Sequence, residues 1–114
     1  MHEISLASSL LDIINEQAAK HQFNRVNAVK LSLGCASSVE PKALEFAFSV
    51  QAQGTIADGA SLHFEMQPVV HHCFSCRRDH SAEVFSSVCA FCGSEDVILT
   101  GGTEELRLLE LDVD

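Results

Sequence analysis

From Ile4 to about Lys20 the apolar positions are Ile4, Ala7, Leu10, Leu11, Ile14 and Ala18, with Asp12, Glu16 and Gln17 opposite them. That three-and-four spacing predicts an amphipathic helix starting almost at the first residue. Glu3 near its start and Lys20 and His21 at its end have the sign order that the helix dipole favours. Val29, Leu31 and Leu33 then alternate with Lys30 and Ser32, which predicts a strand over 25–33 that stops at Gly34. Pro41 suits the first turn of a second helix, where the N–H it lacks has no partner anyway. Leu44, Ala47 and Phe48 form that helix's apolar stripe, Val50 extends it, and Gly54 lies past its end. Asp58-Gly59 reads as a turn, and Leu62, Phe64 and Met66 alternate with His63, Glu65 and Gln67 in a second strand closed by Pro68.

Between 70 and 98 large aliphatic residues thin out and cysteine and histidine take their place. After Gly101-Gly102, Leu109, Leu111 and Val113 alternate with Glu110 and Asp112 in a last strand over 104–113. Leu106 and Leu108 are out of phase with it, so a bulge or a doubly buried stretch is expected near Leu108–Leu109. The order helix, strand, helix, strand, insert, strand predicts an α+β fold: two helices packed on a small mixed three-stranded sheet, with an inserted zinc-ribbon domain. The last strand has only the first sheet to bury against. The main domain is therefore expected to be discontinuous, residues 1–69 plus 100–114, with the insert at 70–99. A monomer and a homodimer that exchanges the last strand both fit this pattern.

The chain has 114 residues, enough for one main core and a small insert. Its 46% apolar and 20% charged content is that of a globular protein. No apolar run is long enough for a membrane helix, and no cationic segment precedes an apolar one as in an export signal, so a cytoplasmic location is expected. A net charge of -9 repels phosphate backbones and argues against nucleic-acid binding.

Five cysteines in such a chain point to metal or redox chemistry. Four form two identical pairs, Cys73-x-x-Cys76 and Cys89-x-x-Cys92, twelve residues apart. Two such turns complete a closed tetrahedron of sulfurs, the arrangement of structural zinc. The insert's apolar anchors, Phe74, Val84, Phe85, Val88 and Phe91, are too few for a metal-free core. Zinc is expected to supply its folding energy, on the order of 10 kcal/mol. A thioredoxin-like redox pair would occur once, between a strand and a helix; here there are two pairs in turns.

Met1-His2-Glu3 offers a second kind of metal site. Methionine is normally retained before a bulky residue such as histidine. The Met1 amine, the next amide nitrogen and the His2 imidazole then form fused five- and six-membered rings around one ion. Such nitrogen donors favour square-planar Ni(II) or Cu(II). Three donors leave the fourth position open, as handover to another protein requires.

With these features in place the chain resembles the HypA/HybF hydrogenase nickel-incorporation proteins. The resemblance rests on the opening Met1-His2-Glu3 before a helix, Ser32-Leu33-Gly34, Val39-Glu40, Phe46-x-Phe48, the stretch from Gly54-Thr55 to Gly59, and the two CxxC knuckles. It covers essentially the whole chain. It implies a cytoplasmic nickel metallochaperone, not an enzyme, with structural Zn(II) and transported Ni(II). The implied partners are a HypB-type GTPase and the [NiFe] hydrogenase large subunit, and in some cases urease maturation proteins. By position, His2 with the Met1 amine binds nickel, Glu3 is its neighbour at the site and a further candidate nickel ligand, and Cys73, Cys76, Cys89 and Cys92 bind zinc.

Glu40 reads as a helix-start carboxylate, and the resemblance places an acidic residue near here at the nickel end. His80 reads as a solvated loop residue, and is a candidate for nickel's fourth position if the insert folds back. His71 and His72 are expected to be exposed, His63 to face solvent, His21 to end the first helix, and Cys35 to be a small buried residue. The competing function is a zinc-ribbon protein-interaction module that transports no metal. No catalytic triad, paired-carboxylate pocket or phosphate-cradling loop is present in the sequence, so nucleotide dependence would come from a partner.

Overall fold

The structure, a computed structural model, describes residues 2–104 and 106–114. The Met1 amine, expected to hold nickel, and the Glu105 position of the last strand lie outside the described residues. The order is α1 (His2–His21), β1 (Val26–Gly34), α2 (Pro41–Gln51), β2 (Ser61–Gln67), β3 (Val69–Cys73), β4 (Asp79–Ala82), β5 (Val97–Gly101) and β6 (Arg107–Val113). The strands form two three-stranded sheets, β2-β1-β6 and β4-β3-β5. The expected α+β class, with two helices and an insert, is what forms. The chain divides into two compact units, Met1–Ser32 with Val39–Glu65 and Leu106–Asp114, and Leu33–Ser38 with Met66–Glu105.

In the first unit α1 and α2 pack on one another. Ala7, Leu10, Leu11 and Ile14 of α1 and Leu44, Ala47 and Phe48 of α2 are buried, with Val26, Val29 and Leu31 of β1 and Leu62 of β2. All but Val26 are positions that the helical and alternating patterns place inward; Val26 is out of phase with Val29 and Leu31, and a register shift between Val26 and Ala28 accompanies its burial. Val50 is a correction: it is 50% exposed. Two positions after Phe48, at about 100° per residue, it points away from the buried stripe. Met66, expected inward, is also exposed, near the end of a strand at the sheet's edge. Ser32, expected outward, is buried together with Leu31, Leu33 and Gly34.

The last strand rejoins the first sheet, as it must to bury its apolar residues. β6 runs antiparallel to β1, with Lys30 opposite Glu110 and Leu31 opposite Leu108. Leu109 is thus the extra residue of a bulge at the expected place, which reconciles Leu108 with the phase of Leu111. α1 ends through Gln22, whose φ of 56° and N–H bond to the Ala18 carbonyl (2.8 Å) stop the helix without a glycine.

The second unit is built on β3, which pairs antiparallel with β4 and β5. Its alternation puts Val69, His71 and Cys73 inward. Three backbone segments cross here with no room for side chains. Gly102 has φ +81°, and a Cβ on it would overlap the Pro68 carbonyl oxygen and lie 2.7 Å from Val69 Cα. A Cβ on Gly34 would overlap the Gly102 carbonyl oxygen. The Ala36 N–H donates to that same oxygen at 2.8 Å.

Phe74, Val84, Phe85, Val88 and Phe91 do not form the core of this unit: each is at least 41% exposed. The interior is filled instead by Leu33, Val69, His71, Cys73 and Cys89. Phe85 and Phe91 lie over a histidine pair, with ring centroids 5.6 Å from His71 and 5.8 Å from His80 respectively.

Candidate metal centre

Each CxxC pair is a tight turn with the same backbone bonds. The Cys73 N–H donates to Arg78 O (3.0 Å) and the Arg77 N–H to Cys73 O (2.9 Å). The second knuckle repeats this, Cys89 N–H to Ser94 O (2.8 Å) and Gly93 N–H to Cys89 O (3.0 Å). Both turns need a left-handed residue after the second cysteine, Arg77 (φ 61°) and Gly93 (φ 74°). The Ser75 and Ser94 hydroxyls join the two turns at 2.8 Å.

This folding brings the four sulfurs within 4.8 Å of one another. Cys73 Sγ lies 3.6 Å from Cys92 Sγ, and Cys76 Sγ 3.7 Å from Cys89 Sγ. A tetrahedral zinc with bonds of about 2.3 Å needs sulfurs about 3.8 Å apart, so the four residues fit that ion. Among the described residues this is the one such cluster of metal-ligating side chains.

Backbone amides favour thiolates at two of the four positions. The Cys92 amide, opposed by burial and helped by the Phe91 N–H at 3.3 Å, brings Cys89 down to about 6. The Cys76 amide likewise lowers Cys73. Burial raises Cys76. At Cys92 the Ser94 amide pulls downward, but burial and the three neighbouring sulfurs outweigh it and push the thiol up to about 11. Four crowded sulfurs cannot all ionise without a cation between them. A bound divalent ion would supply that charge and close the turns, with no coordination position left over for chemistry.

The second group of expected site residues is at the start of α1. His2 is exposed on the first turn, and Glu3 reaches across to α2. Its Oε2 accepts from the Glu40 N–H at 3.2 Å, joining residues 37 apart in sequence. Glu40 is the N-cap of α2, and its Oε1 accepts from the Lys42 N–H at 3.1 Å. The Glu40 amide, then the residue's own amide and the nearby His2 charge, hold the Glu3 carboxyl below its ordinary value.

Three histidines differ from expectation. His71 is not exposed but fully buried, its Nε2 accepting from the Ser86 N–H at 3.0 Å. It sits on the same strand face as Cys73, two residues on, and this period-two relation was the signal that could have placed it. His80 is not a solvated loop residue: it lies half-buried in β4, with its ring stacked on His71 at 4.4 Å. His72 is half-buried, its Nδ1 2.6 Å from Asp79 Oδ1. His63 is exposed, and Cys35 is only partly buried.

The family model for hydrogenase/urease nickel incorporation, the metallochaperone HypA, matches residues 1–113. The chain belongs to the HypA family. It is 51% identical to the hydrogenase maturation factor HypA of Syntrophus aciditrophicus over 114 residues, all of both chains. It is 38% identical to HybF of Klebsiella pneumoniae over 98% of each. The solution structure of the Ni metallochaperone HypA from Helicobacter pylori is similar at a TM-score of 0.66 and 28% identity, over 97% of this chain and 96% of that one. Another HypA solution structure gives 0.70 and 30%, over 99% and 96%. The chain is thus a nickel metallochaperone of hydrogenase maturation with a four-cysteine site able to hold a metal such as zinc.

Proposed function

We propose that this HypA-family chain is a cytoplasmic, non-enzymatic carrier that binds Ni(II) at the start of α1 and holds Zn(II) in its four cysteines. The Met1 amine, the His2 amide nitrogen and the His2 imidazole chelate the cargo, and Glu3 and Glu40 border it. Cys73, Cys76, Cys89 and Cys92 fix the fold of the second unit. The acceptor is the [NiFe] hydrogenase large subunit, and a HypB-type GTPase supplies the nucleotide-dependent step. Among the described residues no helix is long and apolar enough to cross a membrane, which fits a carrier working in the cytoplasm.

The observation that carries this reading is the Glu3–Glu40 bond, which ties the first turn of α1, where His2 sits, to the N-cap of α2. The cargo and the structural ion then have different donors. A closed tetrahedron of thiolates suits an ion that stays, and a three-donor nitrogen set with an open position suits one that leaves. Nickel titration of zinc-loaded protein tests this. His2→Ala, and separately one extra residue before Met1, should each weaken nickel binding strongly, because each removes a ring of the same chelate. Unchanged affinity and spectrum in the extended protein would overturn the amine-chelate model.

A further inference from the structure

The amine–amide–imidazole set restricts ψ of residue 1 and the side-chain torsions of His2. It does not require the backbone after His2 to leave the helix. The first amides of a helix have no acceptor within it, so an ion can take an amide nitrogen there without breaking a helical bond. What remains is the cost of ordering a helix end, which frays when nothing holds it.

In this chain the first turn of α1 is held from both ends of α2. Glu3 Oε2 accepts from the Glu40 N–H, and Gln51 Nε2 donates to the Ile4 carbonyl at 3.0 Å. Glu40 is itself fixed as the N-cap of α2 by the Lys42 N–H. The Glu3 carboxylate therefore already has a partner, and to ligate an ion it would have to give that partner up.

We propose that Glu3 is a positioning residue for nickel uptake: its carboxylate clips the first turn of α1 to the N-cap of α2, presents the His2 amide and imidazole for chelation, and does not itself bind the metal. This rests on the reading of His2 as the nickel ligand. Preorganisation of this kind acts by removing the ordering cost of binding. The charge of Glu3 adds only the weak attraction expected at an exposed site.

The test is nickel titration of four zinc-loaded full-length proteins, wild type, Glu3→Gln, Glu3→Ala and His2→Ala. The readouts are affinity, the visible absorption of bound nickel, and the amide NMR signal of Glu40. Glu3→Gln keeps an oxygen acceptor, so its affinity should stay within about threefold of wild type, with the same absorption and an unmoved Glu40 amide. Glu3→Ala loses the acceptor. It should bind about tenfold more weakly. Its nickel absorption should be unchanged because the ligands are unchanged, and its Glu40 amide should shift towards a solvent-exposed position. If Glu3→Gln loses as much affinity as Glu3→Ala and its absorption changes, the carboxylate is a ligand and the proposal is overturned. Wild-type affinity in Glu3→Ala would overturn it as well. Retained nickel binding in His2→Ala would instead refute the reading beneath it, whatever the Glu3 variants do.

Discussion

Gly102→Ala tests how the second unit is closed, because two separable penalties meet at that position. Its φ of +81° puts an L side chain in the left-handed region, at a cost of about 1–2 kcal/mol. The new Cβ also overlaps the Pro68 carbonyl oxygen and lies 2.7 Å from Val69 Cα. Both are backbone atoms, so no rotamer change relieves the contact, and forcing it costs about 1–3 kcal/mol more. The expected loss is about 2–5 kcal/mol. Gly93→Ala is the control within the same unit: φ is +74° and nothing lies within 4 Å. It should cost about 1–2 kcal/mol at most, and Arg77, in the matching position of the other knuckle, shows that a side chain is accepted there. The chain has no Trp and no Tyr, so fluorescence is a poor probe. Amide hydrogen exchange along β3 in zinc-loaded protein reads the second unit directly. Gly102→Ala costing no more than Gly93→Ala would refute the crossing of backbones described at this point.

The same geometry sets three further expectations. Arg77→Gly removes a left-handed side chain and should raise the second unit's stability by up to about 1 kcal/mol, read as slower β3 amide exchange; faster exchange would contradict the strain. Cys89→Ser should release zinc and abolish protection in β3 and β5 while α1 and α2 keep theirs, with metal analysis and amide exchange as the assays. The Glu3 carboxyl sits below its ordinary 4.5 through the Glu40 amide, so its bond to α2 should be complete above that pH and lost as pH falls through the lowered value. A carboxyl-carbon NMR titration should find a lower midpoint in the folded protein than in an unfolded peptide of the same sequence.

Much of the fold could be read from periodicity, because its elements are amphipathic and one face of each is buried. Leu10, Ile14, Val29, Leu44 and Phe48 occupy the core that their spacing indicates. Even the bulge at Leu109 showed as a break in alternation. The second unit was far less legible. β3, β4 and β5 are short and carry histidine, serine and cysteine in place of aliphatic residues, so alternation marks them poorly. Its few large apolar residues, too few to build a core, lie at the surface, and the burial of His71 in the interior was not foreseen. The four cysteines were legible because spacing alone constrains a two-turn metal site. The Glu3–Glu40 bond was not, since it links residues 37 apart and depends on the packing of two helices.

X-ray absorption at the nickel edge, on protein holding one zinc and then one added nickel, tests the central claim most directly. That claim is that cargo and structural ion occupy separate sites of different chemistry. The account predicts a nickel environment of nitrogen and oxygen only, in planar geometry, with zinc still surrounded by four sulfurs. Sulfur bound to nickel, with zinc released as nickel enters, would contradict it.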